Sequence, residues 1–212
     1  SPTPPAWPEP RQTTLVNRAG LGTALEAVSA MSALLEGVER HDCALLASGG
    51  MAKRDARTVL SRVATGDDGW VHLAVAAAGG FIGADGRGWL PTSLADRWRT
   101  DSLWGQWVSL RDAWRRIPQF PGSLGNTLDA SSPATARAWR RLVHEELSTA
   151  EPGTPVEAGL VADRIRWRQP GTTVDNSLVE AVLDECRVLG LIALGARTDL
   201  VDSLTCAEIG RA

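Results

Sequence analysis

The sequence predicts an α+β chain, mostly α, in which one run of elements occurs twice. Three observations carry this reading. Apolar residues recur every three to four positions in several stretches, as on the buried stripe of a helix. Asp85-Gly86, a pair that tolerates positive φ, separates two short apolar runs and marks a hairpin. The order helix, entry segment, helix, helix, strand then returns after residue 132. That order is the core of a winged helix. The expected architecture is two tandem winged-helix units with short β-hairpin wings, at 20–122 and 123–212, joined by a Trp-rich helix and preceded by a linker at 1–19.

The first residues, SPTPPAWPEP, hold four Pro among eight and no apolar signal core or initiator Met, so an extended linker inside a longer protein is expected. Leu25, Val28, Met31, Leu35 and Val38 place a helix over about Ala24 to Glu39. Cys43 to Ser48 is a short apolar run before Gly49-Gly50 and reads as a small strand lying against the later hairpin. In the next helix, Ala52 to Val63, the residues Ala56, Leu60 and Val63 face inward, and Lys53, Arg54, Arg57 and Arg62 face outward. Thr65 to Asp68 supplies turn and N-cap oxygens.

The helix at about Asp68 to Ala78 occupies the position of a recognition helix. Trp70, Val71, His72, Leu73, Ala74 and Val75 offer almost no group that bonds bidentately to base edges, and Asp67 and Asp68 at its start repel phosphate. Phe81 to Ala84 and Arg87 to Leu90 form the wing, with Arg87 its one basic residue, and Pro91 ends it for want of an N–H. Thr92 or Ser93 caps a short helix to about Trp98. Asp101 or Ser102 opens a stronger one with a stripe of Leu103, Trp107, Leu110, Trp114 and Ile117, read as the joint between the halves.

Residues 118–132, rich in Pro, Gly, Asn and Ser, make the internal boundary. Ser132-Pro133 opens the second unit, whose first helix turns Ala138, Trp139, Leu142 and Val143 inward, with Arg137, Arg140 and Arg141 nearby. A helix with Leu160, Val161 and Ile165 follows, then one over Val174 to Leu189 with Leu178, Val182, Leu183 and Cys186 inward. Gly190 to Leu194 reads as the first strand of a second wing.

The chain resembles a family of actinobacterial helicase-associated proteins that carry a region similar to the N-terminal domain of XPB-type DNA helicases. The likeness rests on Gly49, Gly50, Arg54 and Asp55, on Trp89-Leu90-Pro91-Thr92 followed by Trp98, and on Leu189 through Gly195, within a span of about 20–200. The resemblance implies tandem winged helices inside a larger DNA-associated protein, and the odd cysteine count, without a C-x-x-C, separately points to a reducing cytoplasm.

Composition narrows the activity. With 22 Lys+Arg against 25 Asp+Glu, the net charge of −3 argues against broad coating of nucleic acid, so any DNA contact is a local patch. The halves carry 13 basic and 12 acidic residues (1–122) and 9 and 13 (123–212), so neither is a strong polyanion binder. No run of 18 uncharged apolar residues occurs, and no membrane partner is expected. Cys43, Cys186 and Cys206 are odd in number and lack a C-x-x-C, which fits a reducing compartment.

The chain's one lysine, Lys53, follows Ala52 rather than Gly, so no phosphate-cradling G-x-x-x-x-G-K-[ST] exists. No H-E-x-x-H or G-x-S-x-G exists either, and neither an enzyme nor a cofactor or metal is expected. His144-Glu145-Glu146 reads as a surface cluster and Asp184-Glu185-Cys186-Arg187 as a solvated edge with Cys186 inward. The candidate nucleic-acid contacts are Lys53, Arg54, Arg57, Arg62 and Arg87 in the first unit, and Arg164, Arg166 and Arg168 around Trp167 in the second, where a backbone could be gripped and a base stacked. The expected role is a non-catalytic module that makes weak, sequence-independent backbone contacts and positions neighbouring domains of the full-length protein. The competing role is a protein–protein scaffold without direct DNA contact.

Overall fold

A computed structural model describes residues 3–63, 68–120 and 133–203. The chain is α+β and mostly helical, and it divides into two compact units, 25–138 and 1–24 with 139–212. The long helix α1, Thr13–Arg40, contributes its first turns to the latter unit and the rest to the former. It starts eleven residues before the expected Ala24, because its early inward positions are Val16, Gly20 and Ala24, too small to read as an apolar stripe. By length and composition α1 is apolar enough to cross a membrane, and half of its most apolar window is buried in the structure.

The 25–138 unit continues with β1 (Cys43–Ala44), α2 (Lys53–Leu60), α3 (Gly69–Ala78), β2 (Ile82–Ala84), β3 (Gly88–Pro91), α4 (Ser93–Arg99) and α5 (Leu103–Trp114). The three strands form one antiparallel sheet in the order β1-β3-β2, with Cys43 opposite Trp89 and Ile82 opposite Pro91. A Cβ on Gly88 would lie 2.7 Å from the Cys43 carbonyl oxygen, so only glycine lets β1 approach here. Thr92 fixes the exit from the hairpin. Its hydroxyl accepts from Leu94 N (3.1 Å) as the cap of α4 and donates to the Gly80 carbonyl (2.6 Å).

In α5 the residues Trp107, Leu110, Ala113 and Trp114 are buried, and the stripe continues to Ile117. Leu103 is an exception to the expected stripe, at 61% exposed. The helix packs on α3 and α4, and Trp98 Nε1 donates to the Gln106 carbonyl (2.9 Å). The expected linker at 118–132 and the turn at Thr65 to Asp67 fall largely outside the described residues, as do Ser132 and Cys206.

The other unit holds α6 (Pro133–Leu147, from Trp139 onward), α7 (Ala158–Arg168), α8 (Asn176–Val188), and the strands β4 (Ile192–Ala193) and β5 (Ala196–Arg197). The expected first strand at Gly190 to Leu194 shortens to two residues because Leu194 (φ 51) and Gly195 (φ 73) form the turn that pairs it with β5. Gly190 (φ 75) passes so close to α1 that an added Cβ would collide with the Gly20 carbonyl.

Two glycines on one helix therefore behave oppositely. A Cβ at Gly20 would meet Thr198 Cγ2 at 2.5 Å and the Gly190 carbonyl at 2.8 Å, whereas Gly22 has nothing within 4 Å. We expect Gly20→Ala to lose about 2 kcal/mol through overpacking and Gly22→Ala to gain up to about 1 kcal/mol from helix propensity, read as opposite shifts in urea midpoint.

Candidate nucleic-acid interface

The sharp turn at Gly49 (φ 88), closed by Leu46 N donating to the Gly50 carbonyl (2.8 Å), brings the chain from β1 into α2. Asp55 then ties the two together. Its carboxylate is buried, accepts from Ala44 N (2.9 Å) and Arg54 Nε (3.3 Å), and has His41 Nε2 at 3.5 Å. The Ala44 N–H is the main cause holding this carboxyl below its ordinary value, ahead of Arg54 and His41 and against the effect of burial. In the run Gly49, Gly50, Arg54, Asp55, the aspartate is thus an internal anchor, and Arg54 points outward with its side chain 90% exposed.

Ala56, Leu60 and Val63 are buried, as their spacing predicts, and so is Val59. Lys53, Arg54 and Arg57 line the exposed side of α2, with Arg62 exposed in the turn that follows it, and among the described residues only Arg54 of these four makes an ion pair. An array of exposed, mostly unpaired cations suits phosphate oxygens, which take Arg and Lys as charge-assisted donors.

Arg87 is exposed at the hairpin tip. The tip is shaped by Asp85, whose Oδ1 accepts from Arg87 N (2.9 Å) and Gly88 N (3.0 Å), and these two N–H groups lower its pKa. The carboxylate beside Arg87 cancels much of the charge there. An open cleft of about 410 Å³, lined by Asp42, Cys43, Asp85, Arg87, Trp89 and Leu90 among others, runs along this face of the sheet.

The helix expected to read bases, α3, is mostly buried, with only Trp70, Ala77 and Ala78 half-buried. In α3 the residues Val71, His72, Leu73, Ala74, Val75 and Ala76 are all buried, against α2, α5 and β2. His72 Nδ1 lies 3.3 Å from the Asp68 carbonyl, and among the described residues Nε2 has no partner. Burial pushes its pKa down to about 4, with the Asp68 carbonyl opposing.

The three arginines of the second cluster are brought to one helix but are already engaged. Arg164 is 6% exposed, donating through Nε to Glu146 Oε2 (3.1 Å) and through its other nitrogens to Thr149 Oγ1 (3.1 Å) and the Pro5 carbonyl. It presents no guanidinium to a phosphate. Arg166 donates to Asp163 (2.6 Å), Asn176 Oδ1 (2.7 Å) and the Val174 carbonyl (3.0 Å), and Arg168 pairs with Glu146 Oε1 (2.9 Å). Trp167 is exposed. Of the eight candidates, five lie in the 25–138 unit and three in the other.

Two surface expectations are corrected. His144 and Glu146 are buried, with only Glu145 of that trio exposed, because Glu146 faces Arg164 and Arg168. Glu185 is buried too, as a bidentate partner of Arg140 at 2.7 Å for both bonds, while Cys186 does point inward and Asp184 pairs with Arg187 at the surface. The signal was in the helical spacing: Ala136, Arg140, Val143 and Leu147 share one inward face, and Glu146 borders it. Cys43 and Cys186 are free buried thiols. Desolvation is the first cause raising both, Cys43 to about 11, so neither is a thiolate near neutrality. Among the described residues no three His, Cys, Asp or Glu side chains are grouped to hold a metal ion.

No protein-family model, curated protein or solved structure matches the chain.

The buried imidazole gives a pH dependence of known sign. His72 binds its proton less readily folded, near 4, than at its ordinary 6.5, so stability is full above 6.5 and falls as pH drops from there toward 4. Between pH 7 and 5 the loss is about 2 kcal/mol. Urea midpoints at the two pH values should show it in the wild type and show less of it in His72→Leu.

Proposed function

We propose that the 25–138 unit is a winged helix serving as a non-catalytic module of a larger, helicase-like DNA-associated protein. It grips the phosphate backbone weakly through Lys53, Arg54, Arg57 and Arg62, with Arg87 on the wing, and positions neighbouring domains. The observation that carries this reading is the exposed basic side of α2 standing beside an α3 buried too deeply to read bases. The order of elements and the β1-β3-β2 sheet support the winged-helix assignment, and the likeness of the Gly49 to Asp55 and Trp89 to Trp98 runs to helicase-associated proteins supports the setting. The buried free thiols Cys43 and Cys186 fit a cytoplasmic location.

A protein–protein scaffold is the second reading. It is favoured by Leu103 and Trp104 at the start of α5, 61% and 51% exposed, with Trp104 stacked on Trp107 at 5.1 Å between centroids.

Fluorescence anisotropy of labelled DNA separates the two. With four phosphates engaged, log affinity falls against log salt with a slope of about −3.6, at about −0.9 per phosphate. Arg54→Ala with Arg57→Ala should weaken binding equally for duplexes of different sequence. Absence of binding at low salt and high protein concentration favours the scaffold.

A further inference from the structure

Residues 3–12 form neither helix nor strand and belong to the unit made of 1–24 and 139–212. Pro4, Pro5, Trp7 and Pro10 are partly covered, while Thr3, Ala6, Pro8 and Glu9 are exposed. Three contacts read this segment. The Pro5 carbonyl accepts from the Arg164 guanidinium, Trp7 Nε1 donates to Thr149 Oγ1 (2.9 Å), and the Trp7 ring lies over the same guanidinium at 4.6 Å. Further along, Arg11 N donates to the Gly153 carbonyl (2.9 Å), and Gly153 (φ 89) leaves room for the chain: a Cβ there would lie 3.1 Å from the Arg11 carbonyl.

The receiving groups are held by other groups of 139–212. Glu146 fixes Arg164 through Oε2 (3.1 Å), Arg168 fixes Glu146 through Oε1 (2.9 Å), and the Thr149 hydroxyl donates to the Glu146 carbonyl (2.7 Å). A guanidinium plane, a hydroxyl acceptor and a carbonyl-reading N–H are thus each anchored by a contact outside the segment. Proline-rich ligands are recognised through groups of this kind: a backbone poor in internal hydrogen bonds offers its carbonyls, and planar side chains pack against the ligand's rings. The stiffness of proline lowers the entropy lost on docking.

We propose that Arg164, Thr149 and Glu146 form a recognition groove for a proline-rich peptide carrying a tryptophan, and that residues 4–10 are its resident ligand in cis. Another segment of the same chemistry, Pro followed two residues later by Trp and then Pro, exchanges with it. The groove does not depend on the DNA reading, because the side chains that form it are turned to the peptide or to each other.

The test titrates the full chain carrying Trp7→Ala, which removes the resident ring, with a synthetic peptide of residues 3–11, and reads binding by isothermal titration calorimetry so that peptides with and without Trp are compared on one scale. Saturable binding is expected below about 1 mM, the weak end of specific affinity. The same peptide with Ala at the Trp position should bind at least about tenfold more weakly, and Thr149→Val in the receptor should weaken the Trp peptide by about three- to tenfold. Should Trp7→Ala fail to fold by circular dichroism, Trp7→Leu, which keeps apolar bulk in the groove, takes its place. No binding up to about 1 mM, or equal binding of the Trp and Ala peptides, overturns the proposal.

Discussion

A helix with no polar face has to be covered on every side, and α3 imposes that demand on the whole 25–138 unit. Its sequence, GWVHLAVAAA, offers water little to solvate, so α2, β2 and the indole-bearing α5 pack against it and leave only Trp70, Ala77 and Ala78 half-buried. Trp107 and Trp114, both fully enclosed, provide the bulk that so many alanines leave unfilled. The buried imidazole of α3, His72, is held neutral by that burial. Where a base-reading helix would spend its surface on contacts to a ligand, α3 spends it on the core, and the charge that remains for a partner is left on α2.

The other unit is organised by charge rather than by indole. Arg140 and Glu185 meet in a buried bidentate pair, and Glu146 holds Arg164 and Arg168 on its two oxygens. Such pairs repay their desolvation poorly, yet removing one partner strands a buried charge at a cost of about 3–5 kcal/mol, so they tie α6 to α8 and α6 to α7 in one arrangement. The docked proline segment uses the face of Arg164 that the ion pair leaves over.

How much of this the sequence discloses depends on whether the determining interaction is local. The Asp85-Gly86 hairpin, the basic outside and apolar inside of α2, the Thr92 cap and the inward Cys186 follow from residues within a few positions of each other, and they are legible. The first eleven residues of α1 are not, because a stripe of Val16, Gly20 and Ala24 is apolar only by virtue of what it packs on. Nor are the buried acids: Glu185 reads as solvated until Arg140, forty-five positions earlier, is brought against it. The same reason removes Arg164 from the candidate contacts while leaving Arg54, whose neighbours are its own helix.

In the proposed reading, the unit holds DNA by its backbone from α2 and the wing and keeps α3 out of the groove. Hydrogen exchange of the intact chain with and without a duplex tests that division of labour directly. The account predicts added protection over residues 53–62 and 85–88 and no change over 69–78. Protection gained along 69–78, or none along α2, would contradict it.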